Sequence, residues 1–312
     1  MEFDYRDLKR CARESMRLTN PNFRLVALVY FFMTTGLSFL ISILAPAGIL
    51  TGSLFFSLAL SMYTIVMDFS YDLWSLWTYR KLDPGMGSLM QGFSVAGKVI
   101  VSQLYITCWV IARSFLFTLI LMIPLIVLLP EAMLPFLLLL LYPVSVLVNL
   151  LAELYFCPVP FLLADNPDAP ARFIVRRSEQ LMKGWKRHLF KLEFSFLGWY
   201  ILQWVLSILV VVGTLWVGGF FQALFSIPAE EIPAMVTGFA TWGSGFVMEG
   251  TPQAHIDLFN LYYVLSRGPM TVLAGYLASL PVFLWLTPYL HVSRAAFYDF
   301  RMQQYYQEQP IV

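Results

Sequence analysis

Six runs of predominantly apolar residues, at about 25–45, 48–67, 100–125, 134–158, 192–216 and 269–290, constrain this chain more than any motif in it. A helix needs about 20 such residues to cross the hydrocarbon core of a bilayer. With no water there to satisfy the backbone, only helices and closed barrels can span it, and these runs lack the alternation of barrel strands. Composition agrees: 59% of residues are hydrophobic and only 12% are charged, against roughly 25% charged in a soluble domain. The expected fold is all-α, a polytopic membrane helix bundle of six transmembrane helices with basic amphipathic interfacial helices. Residues 1–24 read as an amphipathic helix, 25–300 as the membrane domain and 301–312 as a tail. Ala45-Pro46-Ala47-Gly48 joins the first two spans as a hairpin, and Pro130-Glu131 joins the third and fourth. The polar, basic leader and the long first run do not fit a cleavable signal peptide. Cys11, Cys108 and Cys157 make no CxxC pair and are expected to be reduced packing residues.

Charge sets the expected orientation. With the N-terminus inside, eighteen of the twenty Lys and Arg residues fall in cytoplasmic segments, Arg267 falls outside, and Arg113 lies within a span. That asymmetry is the positive-inside pattern, and it places both termini in the cytoplasm. The most basic connection, residues 163–191, holds seven of the twenty: Arg172, Arg176, Arg177, Lys183, Lys186, Arg187 and Lys191.

Within that connection Asp168 and Pro170 mark a helix start. Ile174, Ser178, Leu181, Trp185 and Leu189 then recur at three- and four-residue spacing, with most of the cations off that stripe. A basic helix with an apolar stripe is expected to lie in the membrane interface, with Arg172, Arg176, Arg177, Lys183, Lys186 and Arg187 near anionic lipid headgroups or a protein partner. The N-terminal segment has the same design, with Met1, Tyr5, Leu8 and Ala12 on one face and Lys9, Arg10, Arg13 and Arg17 beside it. Such cations, set beside membrane spans, do not call for a nucleic-acid partner.

Leu89-Met90-Gln91-Gly92-Phe93 in one cytoplasmic connection matches Leu181-Met182-Lys183-Gly184-Trp185 in the next, 92 residues on. The offset suggests a parallel repeat of 48–125 and 134–216. Convergent composition of interfacial helices is the alternative.

Few ionisable groups fall inside the expected spans. Arg113 and Glu153, with Asn149 nearby, sit about 18–22 Å from the cytoplasmic ends at 1.5 Å per residue. A mid-membrane Arg needs a partner, so Arg113 and Glu153 are expected to face each other inside the bundle or share a small polar cavity, as a structural clamp or along a solute path. The three histidines, His188, His255 and His291, have no metal-ligand spacing, and no HExxH or GxSxG occurs. No catalytic, cofactor-binding or metal-binding residues and no cofactor are therefore assigned. Glu230-Glu231 in the outer connection, residues 218–268, read as the start of an exterior helix. Pro143, Pro158 and Pro160 are expected to break span four, and Pro281 and Pro288 span six.

The "LADNP…RRS…LMKG" loop from Leu163 to Gly184, the span start Ser195-Phe196-Leu197-Gly198-Trp199, and the closing Pro288-Tyr289 with Ala296-Phe297-Tyr298 resemble one bacterial membrane family. It is the family catalogued as domain of unknown function 975, and the "LWSLWTYRKLD…LMQGF" loop fits it too. The outer connection from Gly218 to Gly268 looks longer than the family's usual one. The resemblance implies a bacterial cytoplasmic-membrane bundle and no particular activity. A non-enzymatic scaffold or accessory protein is the leading expectation. A small-solute or lipid-related transporter is the competing one, and a lipid-modifying enzyme the third.

Overall fold

Several helices extend past the limits of the apolar runs, through residues 68–79 and 291–308. The computed structural model describes residues 4–44, 54–128, 146–232, 234–235 and 252–308, and among these every regular element is helical. The elements are α1 (Tyr5–Arg17), α2 (Phe23–Phe31), a π-helical turn (Phe32–Gly36), α3 (Leu37–Leu44), α4 (Leu54–Tyr79), α5 (Ser88–Gln91), a 3-10 turn (Gly92–Val95) and α6 (Ala96–Leu128). They continue with α7 (146–156), α8 (Val159–Asp165), α9 (Ala171–Leu181), α10 (Lys186–Phe194), α11 (Leu197–Val217) and α12 (Phe220–Phe225). After a 3-10 turn (Ala229–Glu231) come α13 (Gln253–Arg267) and α14 (Pro269–Glu308). Five stretches are long and apolar enough to cross a membrane: Phe23–Ile41, Ser88–Ile120, Val146–Asp165, Leu197–Val217 and Pro269–Glu308.

The expected second span begins outside the described residues, and its helix, α4, continues to Tyr79 rather than stopping near 67. Asp68 and Asp72 lie in that extension and both have partners, described below. The hairpin at 45–48, the Pro130-Glu131 connection, Pro143 and residues 236–251 also lie outside the described residues. Pro158 and Pro160 do interrupt span four, with a turn at 157–158 separating α7 from α8. Pro281 and Pro288 do not interrupt span six, because α14 runs unbroken through both. The expected tail is corrected likewise: residues 301–308 are the last turns of α14, and Arg301 is buried there.

The chain divides into two compact units. The first comprises residues 1–38, 52–196 and 286–312. Its core joins Phe69 and Leu76 of α4, Val99 of α6, Ala152 and Phe156 of α7, Phe161 to Leu163 of α8, Ile174 and Leu181 of α9, and Ala295, Tyr298 and Tyr305 of α14. The α9 stripe thus faces protein. Ile174, Ser178, Leu181 and Leu189 are buried and Trp185 is half-buried. Protein rather than lipid therefore covers the stripe, since an apolar period identifies a face without saying what covers it. α1 behaves the same way: Leu8, Ala12, Ser15 and Met16 are buried. Its Lys9 donates to the Ser195 hydroxyl at 2.8 Å and lies 4.0 Å from the centre of the Phe196 ring. Burial, and Arg13 nearby, hold the Lys9 ammonium below its ordinary pKa. The α9 start also differs from expectation: Pro170 is the N-cap and no side chain caps the helix.

The two LM-x-Gly-aromatic motifs fold differently. Gly92 has right-handed helical torsions (φ −58°), whereas Gly184 has φ +83° in the turn between α9 and α10. A Cβ at Gly92 would collide with the Ser70 hydroxyl, while one at Gly184 would meet nothing. Close approach to α4 requires the first glycine and backbone conformation the second. The expected equivalence of these glycines is therefore not met, and part of the second proposed repeat unit lies outside the described residues.

The second unit comprises residues 39–51 and 197–285. Along α11 only Leu215 is buried, and Trp204, Leu209 and Trp216 are exposed, as on a helix facing lipid. α12 packs on α13 through Phe220 and Tyr262, and Gly218 admits the Leu265 side chain, which a Cβ would displace. Glu230 and Glu231 lie in a 3-10 turn that leads into helical residues 232 and 234–235, as expected of a helix start, and Glu231 contacts the buried His255 ring at 3.0 Å.

Candidate functional site

Four pairs of polar residues at three- or four-residue spacing stand in or behind the wall of one space in the first unit: Asp68 and Asp72 on α4, Gln103 and Thr107 on α6, Asn149 and Glu153 on α7, and His291 and Arg294 on α14. Residues so spaced share a helix face. All of them except His291 line a partly open cavity of about 430 Å³, and His291 reaches its wall through Asp72. That volume falls within the roughly 300–1,000 Å³ of small-molecule sites.

Each carboxylate in the wall has a partner on another helix. The Tyr30 hydroxyl donates to Asp68 Oδ1 at 2.5 Å. His291 Nδ1 lies 2.6 Å from Asp72 Oδ1. Arg294 binds both Glu153 and Glu193, the latter from Nε at 2.6 Å. The remaining oxygens, Asp68 Oδ2, Asp72 Oδ2 and Glu153 Oε2, have no hydrogen bond among the described residues. The Ser102 hydroxyl, on a residue only 2% exposed in the same wall, also lacks a partner. The rest of the lining is apolar and aromatic, with Phe69, Phe156 and Phe161 among it. The break between α7 and α8 borders the space through Cys157, Val159 and Pro160. Pro160 has no N–H to offer the Phe156 carbonyl four residues earlier.

The expected Arg113–Glu153 pair is not formed. Glu153 does have a cation, but it is Arg294, and the Arg113 guanidinium lies 5.2 Å from the centre of the Trp109 ring on an exposed stretch of α6. Asn149 and Glu153 belong to the cavity; Arg113 does not. Asp68, Asp72, His291 and Arg294 escape a reading that ends span two near 67 and span six near 290, because they then fall in connections. Their matched spacing was the available signal.

A second charged cluster closes the basic end of the first unit. The Arg80 guanidinium binds Asp165 at 2.6 and 2.9 Å and Asp299 at 2.6 and 3.0 Å. Tyr298 donates to the same Asp165 at 2.8 Å. The hydrogen bonds to Asp165 and Asp299 raise the Arg80 pKa above its ordinary value. Of the predicted headgroup contacts, Arg172, Arg176, Lys183 and Arg187 are exposed. Arg177 instead lies over Tyr305 at 4.9 Å and Lys186 over Tyr155 at 3.3 Å.

The family described as "Protein of unknown function (DUF975)" matches residues 1–303. The chain belongs to this family. The match takes in α1, the whole lining of the cavity and the Arg80 cluster, so every element of the site lies within the DUF975 region. No curated protein matches the chain, and no solved structure does.

Proposed function

We propose that this DUF975 protein is a non-enzymatic membrane protein that binds a small polar solute within its helix bundle and carries it across the membrane. The observation that carries this reading is the cavity itself: three carboxylates, two amides and a guanidinium converge on one space between apolar helices. Ionisable groups in such helices are costly and mark solute or ion paths. A broken helix beside them supports the same reading, since transporter sites commonly sit where spans are interrupted. The cavity favours transport over the scaffold expected from composition. The reading places the protein in a bacterial cytoplasmic membrane, with both termini and the basic connections on the inner face.

The test is flux. Purified protein in lipid vesicles is given labelled amines, amino acids, carboxylates and sugars. At least one should accumulate above protein-free vesicles, and Arg294→Leu should abolish that uptake. A folded, reconstituted protein that moves none of these classes ends the transport reading.

A second role is supported by the exposed cations Arg172, Arg176, Lys183 and Arg187 around α9 and α10. Their charge suits anionic headgroups, each contact contributing about 1 kcal/mol near an anionic surface. Mass spectrometry of co-purified lipid should show anionic lipid enriched, and charge reversal at these four positions should remove the enrichment.

A further inference from the structure

We infer that the cavity binds a small organic ammonium ion, with Asp68, Asp72 and Glu153 as its charge partners and the Phe69, Phe156 and Phe161 rings enclosing its apolar part; this rests on the reading of the cavity as a solute site.

The sign of the charge comes first. Counting the groups in and directly behind the wall, Asp68, Asp72, Glu153 and Glu193 supply four carboxylates against the single guanidinium of Arg294. Arg294 is taken up by two of them, so it offers little to an incoming anion. Each lining carboxylate uses one oxygen on Tyr30, His291 or Arg294 and, among the described residues, leaves the other without a hydrogen bond. Three acceptors with no donor among the described residues suit a ligand that carries donors and positive charge, which an ammonium group does. The unpartnered hydroxyl of Ser102 stands in the same wall.

The rest of the lining decides between an organic and an inorganic cation. Hard metal cations prefer six or more oxygen ligands around a compact site. This wall is mostly side chains such as Ile65, Ile106 and Val110, with three aromatic rings among them. Aromatic faces attract ammonium groups, and more strongly where water is excluded. A cavity of about 430 Å³ also exceeds what one metal ion would fill.

The probe is phenethylammonium, compared with phenylacetate, K⁺ and Mg²⁺ on the full-length protein in lipid nanodiscs. Binding is read as a saturable rise in melting temperature and confirmed by calorimetry. Phenethylammonium should bind and phenylacetate should not. Asp68→Asn and Asp72→Asn should each weaken binding at least tenfold. Ile106→Trp, which fills the space without altering charge, should abolish it; the ligand-free melting transition of each variant shows whether it has folded. The inference is overturned if phenylacetate binds as well as the amine, if Mg²⁺ or K⁺ alone saturates the site, or if folded variants bind unchanged. Saturable amine binding without vesicle flux keeps this site and removes transport. Flux of a neutral or anionic solute with no amine binding does the reverse.

Discussion

His291 Nδ1 and Asp72 Oδ1 meet at 2.6 Å, joining α14 to α4 with each side chain only 16% exposed. The Tyr71 ring stands edge-on to the imidazole, at 5.0 Å between centres, and stacks on Tyr30, which holds Asp68. The two carboxylates of α4 are thus braced by one aromatic set. Replacing His291 with Phe keeps volume but leaves Asp72 without its donor. The expected loss is about 1–3 kcal/mol, the usual scale for stranding a buried polar group. The double variant with Asp72→Asn should recover part of it, as thermal melting of the singles and the double will show. Strictly additive losses would mean the contact contributes nothing.

Arg294 presents an unequal pair. Glu193 is 13% exposed and Glu153 46% exposed. Glu193→Gln should therefore cost more stability than Glu153→Gln, for which about 0–1 kcal/mol is expected from solvent screening. Arg294→Leu should be the most damaging of the three, at about 3–5 kcal/mol, because it strands charge inside the protein. Arg113→Leu should change the melting temperature little. A loss there equal to that of Arg294→Leu would restore Arg113 as a structural cation.

How far this site was legible depends on where spans were thought to stop. Glu153 and Asn149 stood out because they lie within an apolar run. Arg294 did not, because Pro288 suggests a helix end. α14 nevertheless continues, for proline costs a helix one hydrogen bond and some crowding, and packing of Tyr289, Val292, Ala295 and Ala296 in the core holds the turn that follows. The period of the α9 stripe reveals a face but not what covers it, since lipid and protein core impose the same period. The helical class and the approximate positions of five of the six expected spans follow from hydropathy alone. Pairing between helices 141 residues apart, as for Glu153 and Arg294, does not.

Arg80 should not tolerate lysine. Its fork engages two carboxylates at once, each through two hydrogen bonds, a geometry that a single ammonium cannot reproduce. Arg80→Lys is expected to lose about 1–3 kcal/mol in melting experiments, on the scale of charged hydrogen bonds. Asp299→Asn alone should lose less, because Asp165 remains. Equal stability of the lysine variant would reduce the cluster to simple charge proximity.

The two motif glycines should fail for different reasons. Gly184→Ala faces open space but a left-handed backbone, so about 1–2 kcal/mol is expected, and Gly184→Asn should be milder. Gly92→Ala meets the Ser70 hydroxyl and the Val66 carbonyl of α4, and overpacking of this kind costs about 1–3 kcal/mol. Ser70→Gly should relieve Gly92→Ala and leave Gly184→Ala unchanged. Rescue of both, or of neither, would refute the assignment.

Orientation is open to direct labelling. In a background with Cys11, Cys108 and Cys157 replaced, Arg176→Cys and Arg267→Cys, both at exposed positions, should react with an impermeant maleimide from opposite sides of the membrane. Reaction of both from outside intact cells would remove the proposed topology.

The inward-facing stripe of α9 also governs how fragments of this protein behave. A synthetic peptide copying residues 168–191 would carry Ile174, Leu181 and Leu189 uncovered beside its cations, and would coat anionic vesicles as a free amphipathic helix does. In the folded chain those side chains are buried, so only the charged tips can meet a headgroup. Vesicle binding by the peptide would therefore report a surface the intact protein never presents.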